Sequence, residues 1–265
     1  MTKPETLPLF VLIHGAWQGS WAFAEWAPLL QRRGCNVVAV DLPGNCWPPE
    51  NHAPANLASY CTSVLDVIKR HPGPVILVGH SGGGITASQV AELAPERVAA
   101  VVYLAGIMLP SDRDLGEVIQ QCVVENPGID FDGITTWLEY SPCATVSRVR
   151  PEGALTCFVQ DCDPVKALHA VRQLRPQQES GRLMKPVLTE ERFGTVPRLY
   201  VECTADESLV LPLQRKMQQL SPGAQALTMH CGHVPQLAQP ERLTDLLLPA
   251  LGKLLSPALR NPMHA

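Results

Sequence analysis

Gly79-His80-Ser81-Gly82-Gly83 reads G-x-S-x-G, and it stands between an apolar run, Pro74-Val75-Ile76-Leu77-Val78, and a helical stretch that opens after Gly84. Strand, sharp turn and helix in that order are the context of a nucleophile elbow. Such a turn holds its serine at strained φ and ψ. The residues two positions to either side must then be small, so that strand and helix can approach. Gly79 and Gly83 meet that need. The turn lifts the Ser81 hydroxyl above the sheet, and the helix N-terminus beneath it favours developing negative charge. The glycines do not fall as G-x-G-x-x-G, which argues against a dinucleotide site.

A serine hydroxyl is a weak nucleophile near neutral pH and needs an adjacent base held by a third group. With an elbow of this type the chain order is Ser, then Asp or Glu, then His. Arg198–Cys203 reads as a strand, and Thr204-Ala205-Asp206-Glu207 as the loop at its carboxyl end. Asp206 is the expected acid. Glu207 and Glu202 are the alternatives, Glu202 being less well placed inside the strand. His233 follows Gly232 on the loop after the last strand and is the expected base; His230 still belongs to that strand.

An acyl-transfer site also needs two N–H donors aimed at the developing oxyanion. Gly82, next after the nucleophile, supplies one. The loop His14-Gly15-Ala16-Trp17-Gln18-Gly19 after the first strand supplies the other, from Ala16. His14 is expected to bond this loop in place and not to transfer protons. Gly15, Trp17, Trp21, Met108, Leu109, Trp137 and Phe158 are the candidate lining of an apolar pocket.

Six short apolar runs position these residues: Leu9–His14, Asn36–Asp41, Pro74–Gly79, Val98–Leu104, Arg198–Cys203 and Gln225–His230. Near-continuous Val, Ile and Leu suits parallel strands covered on both faces. Helical patterns lie between them at Ser20–Arg33, Leu57–His71, Ile85–Leu93, Leu211–Leu220 and Pro235–Leu255. This alternation predicts an α/β fold, an about six-stranded, mostly parallel, doubly wound sheet. It breaks between about Gly106 and Val196. That segment offers helical fragments (Leu115–Glu125, Ile134–Tyr140, Pro164–Leu174) and no convincing strand. A structureless loop of that length is improbable in a compact domain. The chain therefore divides into a core, 1–106 and 197–265, and a helical cap insertion, 107–196, over the carboxyl edge where open α/β sheets bind ligands. Ser256–Ala265 reads as a frayed tail.

Composition narrows the partners. The 265 residues are 46% hydrophobic, with formal net charge −4 and no long like-charge run. Nothing here attracts nucleic acid or an anionic membrane. No run approaches a membrane span, and no secretory signal is visible. Nine cysteines occur, without Cys-x-x-Cys spacing. A reduced, cytoplasmic protein is expected, its cysteines mostly core hydrophobes, with no metal and no cofactor. Cys231, beside the loop of His233, is expected to confer sensitivity to thiol reagents.

Phe10–Trp17, Trp21, Asp41-Leu42-Pro43-Gly44, Val78–Gly84, Val102–Gly106, Phe158–Cys162, Leu174-Arg175-Pro176-Gln177 and Gly232–Leu237 together resemble the plant methylesterase and hydroxynitrile lyase family and its bacterial carboxylesterase relatives, within the α/β-hydrolase superfamily. The resemblance spans nearly the whole chain and is thin from about Leu115 to Arg150. It implies an α/β-hydrolase fold with a helical lid, no cofactor and often a homodimer. Lyase members of that family carry a threonine where this chain has Gly15 and a lysine where it has Val234; both positions here are similar to those of esterases. Asp206 is followed by Glu207, where the family usually has Asp-Lys.

The leading expectation is a serine hydrolase acting on a small to medium apolar or aromatic carboxylic ester. The competing readings are a lyase or acyl-transfer enzyme on the same triad, and a ligand-binding protein with a vestigial triad. Cyanide release from cyanohydrins would mark the lyase. Binding without turnover that survives Ser81→Ala would mark the binding protein.

Overall fold

A computed structural model describes residues 8–44 and 54–256. Cys46 and the expected frayed tail beyond Ser256 lie outside the described residues.

Six parallel strands form the central sheet: β1 (Leu9–Ile13), β2 (Asn36–Val40), β3 (Val75–His80), β4 (Val98–Leu104), β8 (Arg198–Cys203) and β9 (Ala224–Met229). Their order is β2-β1-β3-β4-β8-β9. Successive side chains of a strand face opposite ways, so each strand feeds two cores. Val11, Ile13 and Leu77 pack on one face with Tyr60, Val64, Ile68 and Ile85. Phe10, Leu12, Ile76 and Val78 pack on the other with Trp26, Leu30, Leu243 and Leu247. The first face carries α2 (Leu57–Arg70), α3 (Gly83–Leu93) and α7 (Leu211–Leu220). The second carries α1 (Trp26–Arg32) and α9 (Pro240–Leu255), joined where Trp26 Nε1–H donates to Thr244 Oγ1 at 2.9 Å.

Two expected helices are divided. Ser20–Phe23 is a 3₁₀ turn ahead of α1. The Pro235–Leu255 helix is broken at Gln239 (φ −139°, ψ 53°) into α8 (Pro235–Ala238) and α9. Pro240 removes a backbone donor and restricts the residue before it.

The segment between β4 and β8 contains α4 (Leu115–Glu125), a single turn α5 (Pro151–Gly153) running into a π-helical turn Ala154–Phe158, and α6 (Pro164–Gln173). It also contains strands the sequence did not suggest. β5 (Leu138–Tyr140), β6 (Val146–Val149) and β7 (Gln177–Gln178) form a small antiparallel sheet. The helix expected over Ile134–Tyr140 is a 3₁₀ turn, Gly133–Trp137, followed by β5. Strands of two to four residues are too short for alternation to register against helical spacing.

β1 and β3 are neighbours, with Ile13 opposite Gly79. The chain leaves β1 toward β2 on one side and returns as β3 on the other. That reversal opens a crevice at the carboxyl ends of the two strands. The His14 loop and Ser81 emerge there. Among the described residues no helix is long and apolar enough to cross a membrane.

Candidate active site

Ser81 adopts φ 51°, in the left-handed region that residues with a side chain avoid. Close packing on both sides holds it there. A Cβ at Gly79 would stand 2.6 Å from Gly84 Cα, and one at Gly83 would stand 2.3 Å from the Ile13 carbonyl oxygen. Only glycine permits the helix to begin this near the sheet. The Ser81 carbonyl accepts from Gly84 N–H at 3.0 Å and Ile107 N–H at 2.8 Å, which locks the turn.

Three buried histidines surround the elbow. His14 Nδ1 lies 2.8 Å from the Gly15 carbonyl, and its Nε2 accepts from Leu42 N–H at 3.1 Å. His80 Nε2 lies 2.9 Å from the His233 carbonyl, and its Nδ1 3.0 Å from the Gln18 amide. Both rings have both nitrogens engaged. Burial lowers the pKa of His14, and burial with the neighbouring His233 drives that of His80 well below 6.5. His233 differs. Its Nδ1 lies 2.8 Å from Asp206 Oδ2, and among the described residues its Nε2 has no protein partner. The ring is 1% exposed. It stacks on Phe158 (centroids 5.2 Å apart, 21°) and lies 4.9 Å from the His80 ring.

Asp206 is buried, and its carboxylate is held from several directions. Oδ1 accepts the N–H groups of Ser208 and Leu209, each at 2.8 Å. Oδ2 takes His233 and, at 3.4 Å, Gln214 Nε2. Gln214 itself is pinned to the Cys203 backbone and the Leu209 carbonyl. The two alternative acids are elsewhere: Glu207 is exposed, and Glu202 pairs with Arg215 and Gln218. His230 lies one residue past β9 and bonds Thr204 Oγ1.

Gly82 and Ala16 face each other, since a Cβ on Gly82 would lie 3.7 Å from Ala16 N. Among the described residues neither N–H donates to a protein acceptor. The Ala16 N–H belongs to the same peptide as the Gly15 carbonyl. In a trans peptide the two point opposite ways, so the bond from His14 to that carbonyl aims the N–H. This is the anchoring role expected of His14.

Ser81, Gly82, Ala16, Gly15, Trp17 and Phe158 line a cavity of about 250 Å³. The rest of its wall is mostly apolar, including Leu42, Ile107, Ile119, Phe131, Met184 and Leu213. Arg182 reaches it already neutralised, bonded to Glu179 at 2.7 to 3.1 Å. Four expected lining residues are elsewhere. Met108 and Leu109 are buried in the core, because the chain turns at Ala105 (φ 41°) and presents Ile107. Trp21 borders a separate space of about 10 Å³. Trp137 packs against Gly153 and under the Arg150 guanidinium, 4.9 Å from its ring centre. Cys231 is buried, its thiol directed at the Met229 carbonyl, so the expected sensitivity to thiol reagents has no exposed sulfur behind it at this position. Among the described residues no group of His, Cys, Asp and Glu is placed to hold a metal.

Gln214, Gln177 and Ser147 escaped sequence reasoning. Gln214 left a signal as a polar residue among Leu213 and Met217 on the buried face of α7, and Gln177 stood in the Leu174–Gln177 motif of the family resemblance without a role attached to it.

A parallel sheet that raises a strained serine over its carboxyl edge is a framework for acyl-transfer hydrolysis. Comparison with known proteins agrees, and the chain is a hydrolase of carboxylesterase type. The model of the alpha/beta hydrolase family matches residues 10–246, and the chain belongs to that family. A pyrethroid hydrolase of Sphingobium wenxiniae is 28% identical over 260 residues, covering 91% of this chain and 87% of that protein. Methylesterase 10 of Arabidopsis thaliana is 26% identical over 256 residues, covering 92% of each. A solved pyrethroid hydrolase from Sphingobium faniae superposes with TM-score 0.78 at 25% identity, covering 96% of this chain and 100% of that one. These relatives fit the expected kinship with plant methylesterases and bacterial carboxylesterases.

Proposed function

We propose that the protein hydrolyses a small to medium, apolar or aromatic carboxylic ester through an acyl-enzyme on Ser81. One observation carries this reading. Among the described residues, His233 is the one of the three buried histidines at the elbow that keeps a ring nitrogen without a protein partner, while Asp206 holds the other at 2.8 Å. That is the arrangement of a general base beside a serine.

His233 Nε2 takes the Ser81 proton as Oγ attacks the acyl carbon. The N–H groups of Ala16 and Gly82 bind the oxyanion, and Asp206 stabilises the imidazolium. His233 then protonates the leaving alcohol. In the second half it activates water, which releases the acid and restores Ser81. Residues 107–196 cap the site and exclude solvent from it.

The substrate class follows from the cavity. At about 250 Å³ it lies just below the roughly 300–1,000 Å³ of drug-sized ligand sites. Its arginine is already paired, so a neutral ester suits it better than a carboxylate-bearing one. The cyanohydrin lyase reading fits less well. A threonine at position 15 would place its Cβ 2.7 Å from Ser81 Cβ, and Val234 is buried and apolar.

The test is p-nitrophenol release from acetate, butyrate and octanoate esters by the wild type and by Ser81→Ala. Turnover that favours the shorter chains and vanishes in the variant is expected. A folded wild type inert toward all three, or a variant that retains activity, would overturn the proposal.

A further inference from the structure

Trp17 follows Ala16 directly and adopts φ 60°, one of five non-glycine residues with positive φ among the described residues. Such a conformation persists only where the surroundings over-determine it. Here they do. The Trp17 amide N–H donates to Gln177 Oε1 at 2.7 Å. Its indole Nε1–H donates to Ser147 Oγ at 3.0 Å. Its carbonyl accepts the Arg175 N–H at 2.9 Å. All three polar groups of Trp17 are therefore bound by residues of the segment inserted between β4 and β8.

These contacts form one device. Ser147 on β6 and Gln177 on β7 are directly opposite in the antiparallel register, so one strand pair grips both N–H groups of Trp17. Each gripping residue is itself held. Ser147 donates to Glu179 Oε1, and Glu179 is locked by Arg182. Gln177 Nε2 donates to Tyr60 Oη at 3.2 Å and to the Gly181 carbonyl at 3.0 Å. Ser147 and Gln177 are both buried. The oxyanion loop is thus anchored twice, from the core by His14 before Ala16 and from the insertion after it.

The geometry points to Gln177 and Ser147 as positioning residues that hold the oxyanion loop in its left-handed turn, so that the inserted segment aims the Ala16 N–H at the developing charge. This rests on the esterase reading above. An oxyanion donor acts on the transition state and not on the bound ground state, so the loss falls on kcat and leaves KM nearly unchanged. Ser147 stands outside the cavity while Gln177 forms part of its wall, so the split between kcat and KM is read chiefly on Ser147→Ala.

The test uses Ser147→Ala and Gln177→Met in the full chain. Exhaustive labelling with diethyl p-nitrophenyl phosphate counts the active serines, and kcat is expressed per titrated site. Loss of a whole oxyanion donor costs about 10²–10³ in rate, so a misaimed one is expected to cost about tenfold to a hundredfold in kcat, with KM changed by less than about threefold. Affinity for an aryl trifluoromethyl ketone, whose hydrated adduct at Ser81 places an oxyanion in the same site, falls in parallel. The pH midpoint of kcat stays at the wild-type value, since His233 and Asp206 are untouched. A variant that only misfolds shows fewer titratable sites and an unchanged kcat per site, which would overturn the assignment. So would trifluoromethyl ketone affinity that does not move. A wild type that takes no phosphoryl label at Ser81 removes the esterase reading itself, a failure distinct from the other two.

Discussion

Replacing Asp206 with asparagine tests the site more sharply than deleting it. Two backbone donors, Ser208 N–H and Leu209 N–H, stand 2.8 Å from Oδ1. An asparagine NH₂ cannot occupy that position without opposing both. The amide oxygen therefore takes the Oδ1 place, and the NH₂ takes that of Oδ2, 2.8 Å from His233 Nδ1. A donor now faces His233, which must turn an unprotonated Nδ1 toward it and carry its proton on Nε2. That is the wrong tautomer for a base that accepts from Ser81. The same exchange in a serine protease triad costs about 10⁴ in kcat with the geometry intact. This corresponds to about 5.5 kcal/mol of barrier. The expected result is a loss of about 10³–10⁴ in kcat for a p-nitrophenyl ester, with unfolding little changed. Glu207→Gln, at an exposed neighbour, is expected to keep wild-type turnover. Asp206→Asn retaining more than about a tenth of wild-type kcat would refute the reasoning, and a large loss in Glu207→Gln would move the acid one residue along.

Gly83→Ala places a Cβ 2.3 Å from one backbone oxygen and 2.7 Å from another, neither of which can yield. A cost of about 3 kcal/mol is expected, seen as roughly 6–12 °C in Tm by circular dichroism; a shift under about 2 °C would contradict it. His14 and His80 have lowered folded pKa values, both chiefly through burial. Below their ordinary value of 6.5 the unfolded chain takes protons that the folded one refuses. Stability therefore falls with falling pH from that point, by about 1.4 kcal/mol per pH unit for each histidine until its folded pKa is reached. Urea unfolding at pH 7.5, 6 and 5 measures the slope, and a flat profile refutes it. Cys143 is exposed, and hydrogen bonds from the Thr145 hydroxyl and then from Ser141 lower its pKa to about 7. Iodoacetamide at neutral pH is expected to label it ahead of the other described cysteines, with ester hydrolysis retained; mass spectrometry that finds Cys203 or Cys231 labelled first would contradict this.

The candidate site was legible wherever its demands are local. The elbow needs small residues at 79 and 83 because backbone meets backbone there, and that requirement is written as glycine. Ser81, Asp206 and His233 follow strand ends in a fixed order, so the strands place them. Near-continuous apolar runs identify buried parallel strands because both faces are covered. The pocket was not legible. Trp17 and Phe158 line it while Trp21, Met108, Leu109 and Trp137 do not, since an apolar residue carries no mark of which neighbour it will meet. The β5–β6–β7 sheet was not legible either. Its strands are two to four residues long, and they exist through pairing between Ser147 and Gln177, distant in sequence. Such pairing leaves no period to read. The hold of that sheet on Trp17 joins residues 130 and 160 positions apart. Residue type and spacing declare a backbone that must bend sharply or pack closely. Which side chains then meet across the fold depends on packing of the whole chain, and it became visible only once the chain was folded.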